Sequence, residues 1–335
     1  MKKIFYFLYL VCFFSYSQDK KQVDYSGYHL DINKAETFYF GQKNIDSSLF
    51  YYDKVFKNFD FIFVKDIVNA AQISVFSNKP YQKYIELGFL HGLKLNHLNN
   101  YPLFKKDLSK LLKDKKLLNT YVLNRKKYLA KLDFKYLDWV YKLAIKDQKD
   151  KYNKDLTFKN CNLLMDSVFK KGFPGDKIIG ISDSAIFKEI GKPHLNFYQQ
   201  TKKDKNLKYM ISDDISLSNC KVDVLLFHVK CSYQLYKDQF LKEIKLGNIH
   251  PREVAFLHDN TYDSLDSLPF YCDKIKIKGA YLVWDYPEIR KKTTTEITNQ
   301  MREKLFIVSL KVDEIKEEFQ KLHGFRLFSG FYGCR

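Results

Sequence analysis

Glycine and proline are scarce in this chain, at 13 and 7 of 335 residues. An all-β protein needs both at its many reversals, so this composition argues against one. Arginine is scarcer still, with only six among 57 basic residues. Base-edge readout and bidentate phosphate clamping favour the guanidinium fork. The net charge of +18 therefore reads as a solvated lysine surface. No nucleic-acid partner is expected, only weak, non-specific attraction to anionic membrane or polysaccharide surfaces. Beyond the N-terminal segment no apolar run reaches the roughly 20 residues a membrane-spanning helix requires. The best candidate, Val222 to Tyr236, is interrupted by Asp223, His228 and Lys230, so no transmembrane segment is expected. Standard catalytic patterns are also missing: there is no Gly-x-Ser-x-Gly elbow, His-Glu-x-x-His pair, phosphate loop or dinucleotide-type glycine fingerprint. No Cys-x-x-Cys occurs, which argues against a zinc knuckle or thioredoxin-type centre. No cofactor or metal site is implied.

What is present describes an exported globular protein. The apolar fraction of 45% and aromatic fraction of 17% exclude a disordered chain. Lys2 and Lys3 precede an unbroken apolar run from Ile4 to Phe14. Ser15-Tyr16-Ser17 then sets small residues at the two positions that a signal peptidase reads. Cleavage after Ser17 and a periplasmic or secreted destination follow. Cys12 follows Val11 rather than a small residue, so a lipid anchor there is not expected. Five cysteines remain after cleavage: Cys161, Cys220, Cys231, Cys272 and Cys334. Export permits disulfides, and an odd number leaves at least one thiol without an intramolecular partner. The pairing stays open.

Periodicity predicts a mainly α fold. After a polar lead-in over 18–30, helical stripes run from Asn33 to Gly41 and through Ile45, Leu49, Tyr52 and Val55. Further helices are expected over Phe63–Phe76 and Tyr81–Leu93. Basic helices fill 101–171, with 14 Lys/Arg against 6 Asp/Glu over 101–150, and a helix from Leu156 closes at Gly172. Val222–Tyr236 and Glu296–Lys321 each read as one continuous helix. Another helix starts at Pro251, a favoured first-turn position. The residues 200–221 read as a loop. Lys274–Lys278 alternates Lys and Ile before Tyr281–Trp284, which suggests a small hairpin through Gly279. The expected architecture is a helical-hairpin solenoid over 31–100, connecting helices over 101–171, and an α-rich domain with a small β element over 172–335.

Gly41-Gln42-Lys43-Asn44-Ile45-Asp46-Ser47-Ser48-Leu49-Phe50-Tyr51-Tyr52-Asp53-Lys54-Val55-Phe56 resembles the tetratricopeptide repeat. Ile45, Ser48, Tyr52 and Val55 fill its characteristic places. Tyr81 lies 36 residues after Ile45, close to that family's repeat of about 34. The second unit departs at Tyr84, where a small residue is usual. The resemblance covers about residues 30–96. It implies a scaffold that binds a protein or peptide in a groove, while the plain alternative is hairpins packed onto the second half of the chain.

The second half resembles an uncharacterised bacterial domain of unknown function. The matching pieces are Gly172-Phe173-Pro174 with Ile179-Gly180, Leu225-Leu226-Phe227-His228, Gly247 through Asp259, and Asn299-Gln300-Met301-Arg302. Some members carry an Asp-Gln pair just before this domain, followed by a basic residue, usually Arg. Here Asp147-Gln148 is followed by Lys151. No activity attaches to that family, so it offers site candidates and no reaction.

His228 and His258 are the acid/base candidates, since imidazole titrates near neutrality. His228 also reads as a core residue hydrogen-bonded through one ring nitrogen. Arg252 and Asp259, two helical turns apart, could clamp an anion or order flanking loops. His250 and Arg302 complete the ligand-binding candidates. Asp213-Asp214 reads as an exposed loop pair. Two function classes follow: an interaction module that binds protein or peptide through the N-terminal hairpins, or a hydrolase of envelope components. The hydrolase would use His228 and His258, with Arg252 or Arg302 holding an anionic group.

Overall fold

The computed structural model describes residues 23–183, 186–191, 217, 219–263, 269–272, 275–283 and 287–328. The signal segment with Cys12, Asp213-Asp214, most of the 200–221 loop, Lys274, Trp284, Cys334 and the end of the aromatic tail lie outside them. The described residues form sixteen α-helices and no strand, and the protein is mainly helical. In chain order these are α1 (Ser26–Glu36), α2 (Ile45–Asn58), α3 (Val64–Phe76), α4 (Gln82–Leu90), α5 (Lys105–Leu111), α6 (Lys115–Leu129), α7 (Phe134–Lys149), α8 (Lys154–Lys171), α9 (Ile186–Glu189), α10 (Cys220–Phe227), α11 (Ser232–Leu235), α12 (Lys237–Lys245), α13 (Pro251–Asp263), α14 (Pro287–Arg290), α15 (Thr295–Lys304) and α16 (Leu310–His323).

Local chemistry sets most of these ends. Asn44, Asp114, Asp133, Asn153 and Thr294 sit at N-caps, and their side-chain oxygens accept backbone N–H groups of the first turn. Gly172 caps α8 at φ +85°, as the sequence suggests, and Gly324 ends α16 at φ +70°. Helix α1 starts at Ser26, so part of the expected lead-in is helical, and one π turn, Thr37–Gly41, follows it.

Two expected continuous helices are broken. The run Val222–Tyr236 divides into α10 and α11 because α13 supplies competing donors: Asn260 Nδ2 donates to Phe227 O at 3.2 Å, and Thr261 Oγ1 donates to Lys230 O. Glu296–Lys321 divides into α15 and α16. There the Arg302 guanidinium donates to Val308 O at 2.7 Å, and Phe306 takes a left-handed φ of +59°. Each break exchanges helical hydrogen bonds for side-chain ones at Phe227, Lys230 and Val308.

Two large apolar clusters form the interior. One joins α7, α8, α10, α12 and α13 through Val140, Leu164, Leu225, Phe240 and Leu257. The other unites α1–α4 with Val308, Val312, Phe325 and Leu327 from the far end of the chain. Helix α3 is buried from Val64 to Ser74. Its Asn69 brackets the backbone of Phe328, donating to O at 3.1 Å and accepting from N at 2.7 Å, while Gln72 donates to Arg326 O. One face of α3 thus holds the chain's own segment 326–328.

Candidate functional site

Helix α13 organises the second half. Gly247 enters the turn before it at φ +70°, where an added Cβ would lie 2.6 Å from the Tyr25 ring. His250 Nδ1 accepts the Arg252 N–H, and Glu253 reaches back to the His250 N–H. Successive residues at the far end of α13 then face different partners, as a helix turning about 100° per residue requires. His258 lies between the rings of Tyr233 (5.1 Å) and Tyr281 (4.9 Å). Asp259 accepts the backbone N–H of Tyr281 at 2.8 Å and of Val283 at 3.1 Å. From the other side Arg302 donates to Tyr281 O and Leu282 O. Between these clamps Leu282 adopts φ +52°, a left-handed conformation that costs a leucine roughly 1–2 kcal/mol. The disulfide Cys231–Cys272 ties the α10–α11 break to the turn that leads into the same segment. Of the remaining cysteines, Cys161 is a buried free thiol that burial pushes up to about 12. Cys334 and the Cys220 side chain lie outside the description.

These constraints shape a cleft of about 760 Å³ between α11–α12, residues 275–281 and the end of α15. Its floor carries Tyr233, His258, Tyr281, Leu241, Met301 and Leu305, and its rim carries Lys237, Lys276, Lys278, Lys304 and Asp238. Tyr233 and Tyr281 pair through their hydroxyls at 2.9 Å, and burial raises both phenols above their ordinary range. Each therefore stays a neutral hydrogen-bonding group. His258 makes one hydrogen bond, from Nδ1 to Asp259 Oδ1 at 3.3 Å. None of the four lysines forms an ion pair among the described residues, so four positive charges meet a single carboxylate around one concavity.

The other candidates lie elsewhere. His228 follows the last residue of α10 and is not sealed: its side chain is 18% exposed. Its Nδ1 meets Asp147 Oδ2 at 2.5 Å and its Nε2 lies 3.4 Å from Gln148 Nε2. Asp147 is fully buried and also accepts from Asn160 Nδ2. The Asp-Gln pair is thus joined to His228, 81 positions after Asp147, and the two candidate histidines have separate partners.

Arg252 and Arg302 meet in a buried ionic network. Both bind Asp313, Arg252 through two bonds of 2.6 and 2.7 Å. Arg252 also reaches Glu36 at 3.1 Å, and Lys316 pairs with the same Glu36. Burial opposes ionisation of Glu36, but the Lys316 and Arg252 charges outweigh it and hold its carboxyl below the ordinary value. Neither arginine of the expected anion clamp lines the cleft. Lys65 bridges α3 to Glu253 and Asp176 nearby.

Asp66 borders this network. It accepts from Tyr28 Oη at 2.8 Å and lies 3.8 Å from His250 Nε2. Burial first, with Glu36 adding to it, raises its carboxyl from 3.8 to about 7. The native state then holds a proton that the unfolded chain has released, so this group's contribution falls as pH rises between those values. Asp66→Asn should gain in melting temperature relative to the parent between about pH 4 and about pH 8. A difference that stays constant over that range would contradict the assignment.

Among the described residues no three His, Cys, Asp or Glu side chains converge as metal ligands. No helix among them is long and apolar enough to cross a membrane. The lysines of the cleft rim were not singled out by sequence reasoning. The signal available was the Ile-Lys-Ile-Lys alternation at 275–278, which read as one arm of a hairpin. No hairpin forms among the described residues, and 275–283 lacks a regular element. No protein family matches this chain, and no curated protein or solved structure is similar to it.

Proposed function

We propose that the protein is a non-enzymatic interaction module whose ligand site is the cleft headed by His258, with an acidic protein or peptide as partner. The observation that carries this reading is the set of four lysines without ion pairs around an open, aromatic-floored concavity, while Arg252 and Arg302 are neutralised by buried carboxylates. In this reading α1–α2 and α3–α4 are tetratricopeptide-like hairpins that support the site. The second half belongs with the uncharacterised bacterial domain its motifs resemble. The N-terminal signal pattern and the Cys231–Cys272 bridge, which an oxidising compartment would preserve, support an exported location.

A second reading keeps a hydrolase, now with His228 as general base oriented by Asp147, on the strength of their 2.5 Å contact. One experiment weighs both. Thermal unfolding of the mature protein with poly-glutamate should rise in midpoint, since a ligand of the native state stabilises it. Poly-lysine should give no rise, and Lys276→Glu with Lys304→Glu should remove the response. Equal shifts with both polymers, or none, would overturn the binding reading. Peptide or ester hydrolysis lost in His228→Ala would establish the second reading in its place.

A further inference from the structure

Residues 275–279 border the cleft with a property that ordinary loops lack. Their burial alternates: Ile275 and Ile277 are half-buried, whereas Lys276 and Lys278 are exposed. A two-residue period is that of an extended chain, whose side chains point to opposite faces. From Lys276 to Gly279, no backbone N–H or C=O group forms a hydrogen bond among the described residues. The bonds before and after are made: Ile275 N donates to Cys272 O, and Ala280 O accepts from Thr298 Oγ1 at 3.0 Å. Beyond them, Asp259 and Arg302 hold Tyr281 and Leu282. The segment is therefore pinned at both ends and bare in the middle.

We infer that residues 276–278 are a docking edge, onto which an extended acidic segment of a partner protein adds as a strand. This rests on the binding reading above and assigns its mode. Strand addition draws affinity from main-chain hydrogen bonds and specificity from alternate side chains. Here one face of the incoming strand meets the apolar floor of Tyr233, Leu241, Met301 and Leu305, and its carboxylates meet Lys237, Lys276, Lys278 and Lys304. The partner is a peptide alternating apolar and acidic residues. An unpaired edge invites indiscriminate pairing, and lysines along it repel other basic edges, which narrows the partner to acidic strands.

The probe is a fluorescent hexapeptide alternating valine and glutamate, titrated into the mature full-length protein and read by anisotropy. Saturable binding is expected, weakening as salt is raised. Methylating alternate backbone nitrogens of the peptide removes its donors without touching charge, and should weaken binding by about tenfold or more. Lys276→Glu with Lys278→Glu, both on exposed positions, should do the same by about tenfold, with an unchanged far-UV spectrum. Equal affinity for the methylated peptide would overturn strand addition while leaving acidic-ligand binding intact. Equal affinity for a valine–lysine peptide would overturn the acidic preference. A melting temperature raised by oleate, together with no peptide binding, would replace the partner with an amphiphilic anion. No stabilisation by poly-glutamate either would remove the binding reading itself.

Discussion

Replacing Asp313 by alanine is expected to lower the stability of the protein by about 3–5 kcal/mol in urea unfolding, because it strands two buried guanidinium groups. Asp313 accepts from both Arg252 and Arg302, whose side chains are 5% and 0% exposed. Arg252 would keep Glu36 at 3.1 Å. Arg302 would keep only the carbonyls of Tyr281, Leu282 and Val308. Those carbonyls solvate a charge but do not cancel it. The control is Arg290, whose pair with Glu314 is at the surface, with side chains 46% and 32% exposed. Arg290→Ala should change stability by no more than roughly 0.5 kcal/mol, since water already screens both charges. Similar losses in the two variants would refute a buried network in which Asp313 holds the arginines. The loss should also reach the cleft. Arg302 clamps residues 281–282, so loosening it should weaken ligand binding even at temperatures where the variant remains folded.

The second large effect is expected at the disulfide. Cys231 and Cys272 are separated by 41 residues, and opening a loop of that length frees chain entropy worth about 4 kcal/mol. Cys231→Ala with Cys272→Ala, or reduction of the parent protein, should lower the melting temperature accordingly. The effect should not be purely global. Cys272 ends the turn that precedes residues 275–279, and Cys231 is the N-cap of α11, which carries Tyr233 and Gln234 on the opposite wall. Reduction should therefore weaken peptide binding before it unfolds the chain. A melting temperature indifferent to reductant would show that this bridge does not hold the native state.

Helix positions were legible in the sequence with some precision. The stripes expected at Phe63–Phe76 and Leu156–Lys170 appear as Val64–Phe76 and Lys154–Lys171. The expected Tyr81–Leu93 appears shortened, as Gln82–Leu90. The two failures, at Val222–Tyr236 and Glu296–Lys321, share a cause. In both, a side-chain donor takes a backbone carbonyl, from α13 in the first and from Arg302 of the same run in the second, and no window of apolar spacing registers that donor. The candidate site was legible in part. His258, Asp259 and Arg302 do converge on the cleft segment, though Asp259 and Arg302 act there by holding backbone rather than ligand. His228 and Asp147 were each singled out, but their contact was not foreseeable from either neighbourhood.

Chain composition and short-range order were enough for a lysine-coated, mainly helical protein with its helices largely in place. Capping groups and apolar stripes act over a few residues, so the information lies where the effect does. Which charges are cancelled and which are left bare was settled by folding. Glu36 meets Arg252 across 216 positions, and Lys65 meets Glu253 across 188. Burial makes those contacts obligatory, because an unpaired ion away from water is too costly to keep. Lysines 237, 276, 278 and 304 sit where water still reaches them, so nothing obliged them to pair, and among the described residues none does.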